Sequence, residues 1–159
     1  MKRRRDPQDI AVFTRNHRKY LEEAADVSAR DPNRIIVFRA RSKWVTALRA
    51  IPVGASLPIY MGAIGGTGEV EYEAELCDGQ IGPRRGDSKT ETLLASVLKS
   101  TAEEGLWEKN GKTAETLYAI RACRRRSRPF PITSLVKVSD GQPISPDYGY
   151  SYAIVRTHR

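Results

Sequence analysis

Cysteine and histidine are scarce in this sequence. It contains two cysteines, Cys77 and Cys123, with no CxxC spacing, and two histidines, His17 and His158. Zinc sites and disulfide frameworks need clusters of these residues, and a nucleophilic triad needs a histidine beside its nucleophile. HExxH and Walker motifs are missing as well. We therefore expect no metal, no cofactor and no catalytic residue, and the low cysteine content favours a reducing, cytoplasmic location.

Long apolar runs are also missing. The longest uncharged stretch, residues 50–68, contains two prolines and five glycines, which indicates turns and not a membrane span. The basic start of the chain is followed by no apolar segment, so no secretory signal and no membrane partner are expected. The 159 residues, 40% of them hydrophobic and 29% charged, fit one domain. We predict a basic flexible arm over residues 1–8 and a single domain over residues 9–159.

Positive charge is in excess. The chain has 27 Lys and Arg residues against 19 Asp and Glu, a formal net charge of +8, and four of the cations are residues 2–5. A surplus rich in arginine suits nucleic acid, because the guanidinium fork matches phosphate and base edges. The densest run after the arm, residues 121–128, contains five arginines. It predicts a phosphate-binding surface; pairing with the acidic segment at residues 69–75 is the alternative.

Hydrophobic spacing predicts the helices. Apolar residues three and four positions apart indicate an amphipathic helix over residues 9–29. Ser42 is a candidate cap for a short helix that carries Trp44 and ends before Pro52. A second long helix is predicted over residues 89–104.

Alternating and β-branched runs predict the strands. The clearest is residues 69–76, where apolar residues alternate with glutamates, so that one face is core and the other is acidic. The glycine-rich segment 62–68 is interpreted as a turn, because it lacks the G-K-[ST] of a phosphate loop and precedes a strand. The further predicted strands are residues 34–40, 57–61, 115–123 and 150–155, with a short element around 135–138. The further predicted turns are residues 52–56, 78–79, 82–88, the Asn110–Gly111 hairpin, and Pro129 with Pro131 after the 115–123 strand.

Strands joined by tight turns favour an antiparallel or mixed sheet over a doubly wound parallel one. Five or six strands with two or three helices are enough to curl a sheet round on itself. The predicted fold is α+β, with a small, partly closed mixed β-barrel flanked by two or three helices.

Five segments of the chain carry a family resemblance, which covers residues 34–155. The segments are VFRARSKW, VGASLPIYM, GEVEYEAEL, TLYAIRACRRRSRPFPITSLV and YGYSYAIV. They are similar to segments of the PUA-like superfamily, and within it of the EVE and ASCH domains.

The resemblance implies a nucleic-acid-binding module, for RNA or DNA. An aromatic-lined pocket beside the barrel would accept one nucleobase, plain or modified, because unpaired bases are held by stacking on flat side chains. The predicted base-pocket residues are Trp44, Tyr60, Ser42 and Tyr118. The predicted nucleic-acid-binding residues, at the pocket entrance and on the phosphates, are Arg39, Arg41, Lys43, Arg121, Arg124, Arg125 and Arg126.

Two other functions stay open. Some ASCH-like proteins are amidohydrolases with a G-x-K-x-x-E-x-R pattern, which implies a hydrolase of modified nucleosides in which Lys43 supplies the lysine. Arg41, Thr46 and Leu48 stand where that pattern has glycine, glutamate and arginine. The third possibility is a protein-interaction factor of a phage or mobile element, which would bind a partner protein through the acidic strand face or the arginines.

Overall fold

The computed structural model describes residues 9–103 and 115–158 of the chain. These residues form an α+β fold with a six-stranded mixed sheet and four helices. The elements in chain order are β1 (Ile10–Asn16), α1 (Arg18–Arg30), β2 (Ile36–Ala40), α2 (Val45–Ala50), β3 (Leu57–Ala63), β4 (Glu69–Ile81), α3 (Ser88–Leu94), α4 (Lys99–Glu103), β5 (Thr116–Pro131) and β6 (Tyr152–Arg156).

The sheet has the strand order β2-β5-β4-β3-β1-β6, with β1 and β3 parallel and the other neighbours antiparallel. Within the described residues no ladder joins the edge strands β2 and β6, so the hydrogen-bonded sheet is open. Both edges have backbone partners of their own. At the β2 edge, the amide of Val37 donates to the carbonyl of Ser96 at 3.0 Å. At the β6 edge, the carbonyl of Ile154 accepts from the amide of Val138 at 2.9 Å.

The prediction of one helix over residues 9–29 is wrong for its first half. Residues 10–16 form β1, which pairs with β3 on one side and β6 on the other, and the helix begins only at Arg18. Burial explains the difference, because the consecutive residues Ala11, Val12 and Phe13 are all inaccessible. A strand covered on both faces buries successive side chains in this way, whereas an amphipathic helix buries one stripe. The apolar spacing that indicated a helix is real for α1, which buries Tyr20, Leu21 and Ala24.

Strand β4 departs from the predicted alternation at one end and from the predicted turn at the other. The pairing register shifts between Val70 and Tyr72, so Val70 lies on the opposite face from Tyr72, and Glu71 is buried instead of lying on an acidic surface. Arg18 binds Glu71 through two hydrogen bonds of 3.0 and 2.8 Å. The turn predicted at residues 78–79 is absent, since the strand continues to Ile81.

Strand β5 is longer than predicted. The two prolines after the predicted strand were expected to end regular structure; the strand passes through Pro129 and ends at Pro131. Proline lacks the amide hydrogen that a central strand needs on both edges. Strand β2 pairs only with residues 116–120 of β5. The edge of β5 that faces β2 therefore has no β2 partner at the prolines, and the amide hydrogen that proline lacks is not needed for pairing there.

The helices also begin and end differently from the prediction. Residues 88–103 form two short helices, and Val97 between them makes a parallel bridge to Val37 of β2. Ser42 does not cap α2, which begins after Trp44. The predicted Asn110–Gly111 hairpin and the basic arm lie outside the described residues.

The core has two main parts, one on each face of the sheet. The first packs α1 and α2 against the sheet and includes Leu21, Ile59 and Leu76. The second lies on the opposite face under residues 132–148 and includes Phe13 and Phe130. Strands β1 and β3 supply both parts through their alternating side chains. The alternate residues Leu117 and Ala119 of β5 pack instead in a third, smaller part of the core with Leu93 and Leu94 of α3.

Candidate functional site

Trp44 and Tyr118 of the predicted base pocket are packed against each other. Trp44 is 0% exposed, and its ring is stacked on that of Tyr118 with centroids 4.2 Å apart and 13° between the planes. The indole Nε1 donates to Ser151 Oγ at 2.9 Å, and Asn16 Nδ2 donates to the hydroxyl of Tyr118 at 3.2 Å. The tyrosine occupies the position that a stacked base would need, so these two rings belong to the core.

Ser42 lies beside this pair because Thr116 connects them. The hydroxyl of Thr116 donates to the carbonyl of Ser42 at 2.7 Å and accepts from the amide of Trp44 at 3.0 Å. The structure thus brings three of the four predicted pocket residues together, but around a filled core.

Tyr60 lies on the other face of the sheet. Its β3 neighbours Ile59 and Met61 belong to the first part of the core, whereas Tyr60 packs in the second, edge-to-face on Phe130 at 5.7 Å. It is 5% exposed, and its hydroxyl accepts from the amide of His158 at 3.0 Å. Trp44 and Tyr60 therefore do not face each other, and the predicted pocket between them is not formed.

The arginines of β5 pair with the glutamates of β4. Glu73 lies opposite Arg124 and Glu75 opposite Arg121 in the strand register. Arg121 Nε donates to Glu75 Oε2 at 3.1 Å, Arg126 Nη1 to Glu73 Oε2 at 2.6 Å, and Arg124 to the other oxygen of Glu73. This is the pairing that the sequence analysis left open as an alternative. We call these five residues the arginine–glutamate ladder.

Exposure differs widely within the arginine–glutamate ladder. The side chain of Arg124 is 72% exposed, whereas that of Glu73 is 14% exposed. Arg126 makes two interactions: besides its ion pair with Glu73, its guanidinium lies 4.8 Å from the centre of the Phe130 ring. Arg124 is therefore the member whose donors face solvent.

The other predicted phosphate-binding residues lie away from this ladder. Arg125 is exposed and pairs in register with Tyr72, which belongs to the opposite face. Arg39 is partly buried on β2 opposite Leu117, at the other end of β5. Arg41 and Lys43 are exposed in the connection from β2 to α2. The seven cations thus form no single patch.

A groove of about 920 Å³ lies beside the arginine–glutamate ladder. Ala122, one of its lining residues, has a φ of +52°, and the register of β4 with β5 is irregular here, so the two strands bend beside the groove. A groove of this volume is large enough for a nucleotide-sized ligand. It is lined by Pro52, Ala55, Ser56 and Leu57 before and at the start of β3, by Pro58 and Tyr60 of β3, by Glu73, Ala74 and Glu75 of β4, and by Ala122 and Arg124 of β5.

The sequence analysis assigned only Tyr60 and Arg124 of this groove to binding. It missed the prolines and Ser56, because nothing local in residues 52–58 shows that they will face β4. The glutamates were assigned to an acidic face, and their matching spacing with Arg121, Arg124 and Arg126 is the sequence signal that places the two strands side by side.

Neither cysteine is suited to nucleophilic chemistry. Burial raises the pKa of the Cys123 thiol to about 12, and burial also raises the pKa of Cys77. A thiol is a nucleophile only as thiolate. Within residues 9–103 and 115–158 no group of three His, Cys, Asp or Glu residues is placed to hold a metal ion.

The chain matches no known family model, and it matches no curated protein. Among the helices that the structure describes, none is long and apolar enough to cross a membrane.

Proposed function

We propose that this protein binds nucleic acid without catalysis, holding one unpaired nucleobase, plain or modified, in the groove and the adjoining phosphates on arginines. The observation that carries the proposal is the joint presence in one groove of an apolar wall, formed by Pro52 and Pro58 beside the largely buried Tyr60, and the exposed guanidinium of Arg124. The wall suits the face of a base, and the guanidinium suits the phosphate beside it.

Arg124 is able to change partner at little cost. An ion pair with one strongly exposed member contributes about 0–1 kcal/mol. When Arg124 turns to a phosphate, Arg126 still neutralises Glu73, since its 2.6 Å contact is to the other carboxylate oxygen. No buried charge is left alone by the exchange.

The remaining cations add attraction without specificity. Arg41, Lys43 and Arg125 are exposed, and the chain carries +8 overall. Such charge raises encounter rates with a polyanion and makes binding sensitive to salt.

The PUA-like assignment and the partly closed barrel belong to the same proposal. Their support is that side chains from opposite parts of the open sheet meet: Trp44 binds Ser151, next to β6, and Asn16 of β1 binds Tyr118 of β5. The curl that these contacts require is the one that a partly closed barrel needs.

The test is binding of a short single-stranded oligonucleotide, followed by fluorescence anisotropy at several salt concentrations. Arg124→Ala should weaken binding and lower the magnitude of the slope of log affinity against log salt by about 0.7, the value of one phosphate contact on a single strand. Arg84→Ala is the matched control, because it removes an exposed arginine from the connection between β4 and α3, which does not line the groove.

Equal effects of the two variants would show that only total charge matters and would overturn the assignment of the groove. Absence of binding by the wild-type protein would overturn the function itself. Turnover of an acylated nucleoside would instead support the hydrolase.

A further inference from the structure

We infer that Glu75 makes the groove selective for nucleobases that carry an exocyclic amino group. This inference rests on the proposed binding of a base in the groove, and it adds which bases are accepted. It follows from the hydrogen-bonding capacity of one carboxylate and from its place beside the apolar wall.

Glu75 has acceptor capacity that its protein partners do not use. One oxygen accepts from Arg121 Nε at 3.1 Å and the other from Ser56 Oγ at 3.3 Å. A carboxylate offers about four acceptor positions, so about two remain. The side chain is 46% exposed and lines the groove.

Glu73, the other carboxylate of the groove, is placed differently. Both of its oxygens accept from guanidinium groups, of Arg124 and Arg126, and its side chain is 14% exposed. Glu73 therefore positions the arginines, whereas Glu75 presents its oxygens to a ligand.

The position of Glu75 matches the edge of a bound base. In the strand register it lies directly opposite Pro58, and the next pair on the same face is Tyr60 with Glu73. Side chains directly opposite each other on antiparallel strands have Cβ atoms about 4.5–5.5 Å apart. A base whose face rests on Pro58 thus has its edge beside the Glu75 carboxylate.

Base chemistry then decides which base is accepted. Cytosine presents an amino group at N4 and adenine at N6, and both donate to a carboxylate. Uracil and thymine present a carbonyl oxygen at the corresponding place, and this oxygen is repelled by the carboxylate of Glu75. The groove therefore favours amino bases over uracil and thymine.

The experiment compares short single-stranded oligonucleotides made only of deoxycytidine or only of deoxyuridine, near neutral pH. The measured quantity is the ratio of the two affinities for each variant. We expect the wild-type protein to prefer deoxycytidine by about tenfold, the lower part of the range for one good base contact. Glu75→Gln should bring the ratio close to one while salt-sensitive binding persists.

Glu69→Gln is the matched control. It removes the same charge from the same strand, but Glu69 binds Thr67 Oγ1 at 3.0 Å and does not line the groove. Its ratio should equal that of the wild-type protein. If Glu75→Gln does not fold, Glu75→Asp keeps the charge beside Arg121 and draws it back by one methylene, and it should also lower the ratio.

The possible failures are distinguishable. A wild-type ratio near one, with binding that still depends on Arg124, would overturn the role of Glu75 and leave the proposed function standing. An equal fall of the ratio in Glu69→Gln would overturn it as well. No binding of either oligonucleotide would overturn both proposals.

Discussion

The indole of Trp44 connects the segment between β2 and α2 to the residues that precede β6. It stacks on Tyr118, lies 5.0 Å from the Tyr152 ring between centroids, and donates to Ser151. A single side chain thus contacts two parts of the chain that are distant from it in sequence. Its removal should affect the whole fold and not one surface.

The first prediction is that Trp44→Ala lowers the free energy of unfolding by about 3–5 kcal/mol, the usual cost of emptying a core of a large aromatic ring. Urea unfolding followed by circular dichroism measures it. Trp44→Phe, which keeps an aromatic ring on Tyr118, should cost less. If Trp44→Ala left the urea midpoint unchanged and weakened nucleic-acid binding, the prediction would be wrong and Trp44 would be a wall of the binding pocket.

The second prediction concerns the cysteine thiols. Burial raises the pKa of Cys123 to about 12, and it also raises that of Cys77, whose side chain is partly exposed. Native protein at about pH 8.5, the ordinary pKa of a thiol, should be alkylated by iodoacetamide slowly, at Cys77 before Cys123. Mass spectrometry identifies the site, and the denatured protein, in which both react, is the control. Fast labelling of native Cys123 would contradict its burial.

The same thiol sets a direction for stability at high pH. The unfolded chain ionises Cys123 near its ordinary pKa, whereas the folded chain keeps the proton until about pH 12. The contribution to stability is therefore fully present below about pH 8.5 and is lost progressively as the pH rises toward 12. The buried hydroxyl of Tyr118, whose pKa is also raised by burial, acts in the same direction.

Among the secondary-structure elements, α2 lies in close contact with β4 at Gly79. A Cβ atom at this position would lie 2.5 Å from Leu48 Cδ2 and 2.8 Å from the carbonyl oxygen of Leu117. The second contact is backbone, which cannot rotate away. The glycine was predicted to form a turn, and its actual role is to let a helix lie against a strand.

The third prediction follows from this contact. Gly79→Ala should lower the free energy of unfolding by about 1–3 kcal/mol, as overpacking does. Gly149→Ala is the control and should be nearly neutral, because the nearest atom to its Cβ would be 3.9 Å away. Thermal unfolding compares them. Equal melting temperatures of the two variants would show that α2 and the β5 backbone both move aside without cost.

The elements also show what the sequence could and could not predict. Two patterns could be predicted from the sequence, because each comes from one buried face. They are the helical spacing of Tyr20, Leu21 and Ala24 and the alternation of Tyr72, Ala74 and Leu76. Strand β1 was missed, since its burial on two faces depends on β3 and β6, which are distant in sequence.

The candidate site was predictable only in part. The pairing of β5 arginines with β4 glutamates was foreseen as an alternative because charge complementarity is visible in sequence. The groove depends on the bend at Ala122 and on the approach of residues 52–58 to β4, and neither leaves a local signal. Trp44 was assigned to a pocket because an aromatic residue looks the same in sequence whether it contacts a ligand or another ring.

For the whole molecule, net charge sets the strength of non-specific binding. Four of the 27 cations are residues 2–5. The fourth prediction is that deleting residues 2–5 lowers the affinity for single-stranded and double-stranded nucleic acid alike, because such binding is mainly electrostatic. The deoxycytidine preference should stay the same, since it depends on Glu75.

The measurement is the affinity for both kinds of nucleic acid at two salt concentrations, with the melting temperature as the control for folding. A large fall in melting temperature would show that the arm contributes to the stability of the domain. A loss confined to one kind of nucleic acid would show that the arm recognises more than charge.

The pairing of β1 with β6, in which Ile10 lies opposite Arg156, has a consequence for synthesis of the protein. On the ribosome β1 emerges first of the described strands and β6 last, so one edge of β1 stays unpaired until β6 has been made. Contacts so distant in sequence form slowly, and an unpaired strand edge is a template for association with other chains. A nascent chain that stalls before Tyr152 therefore exposes an unpaired, aggregation-prone edge of β1. We expect molecular chaperones to bind this protein until β6 has been made.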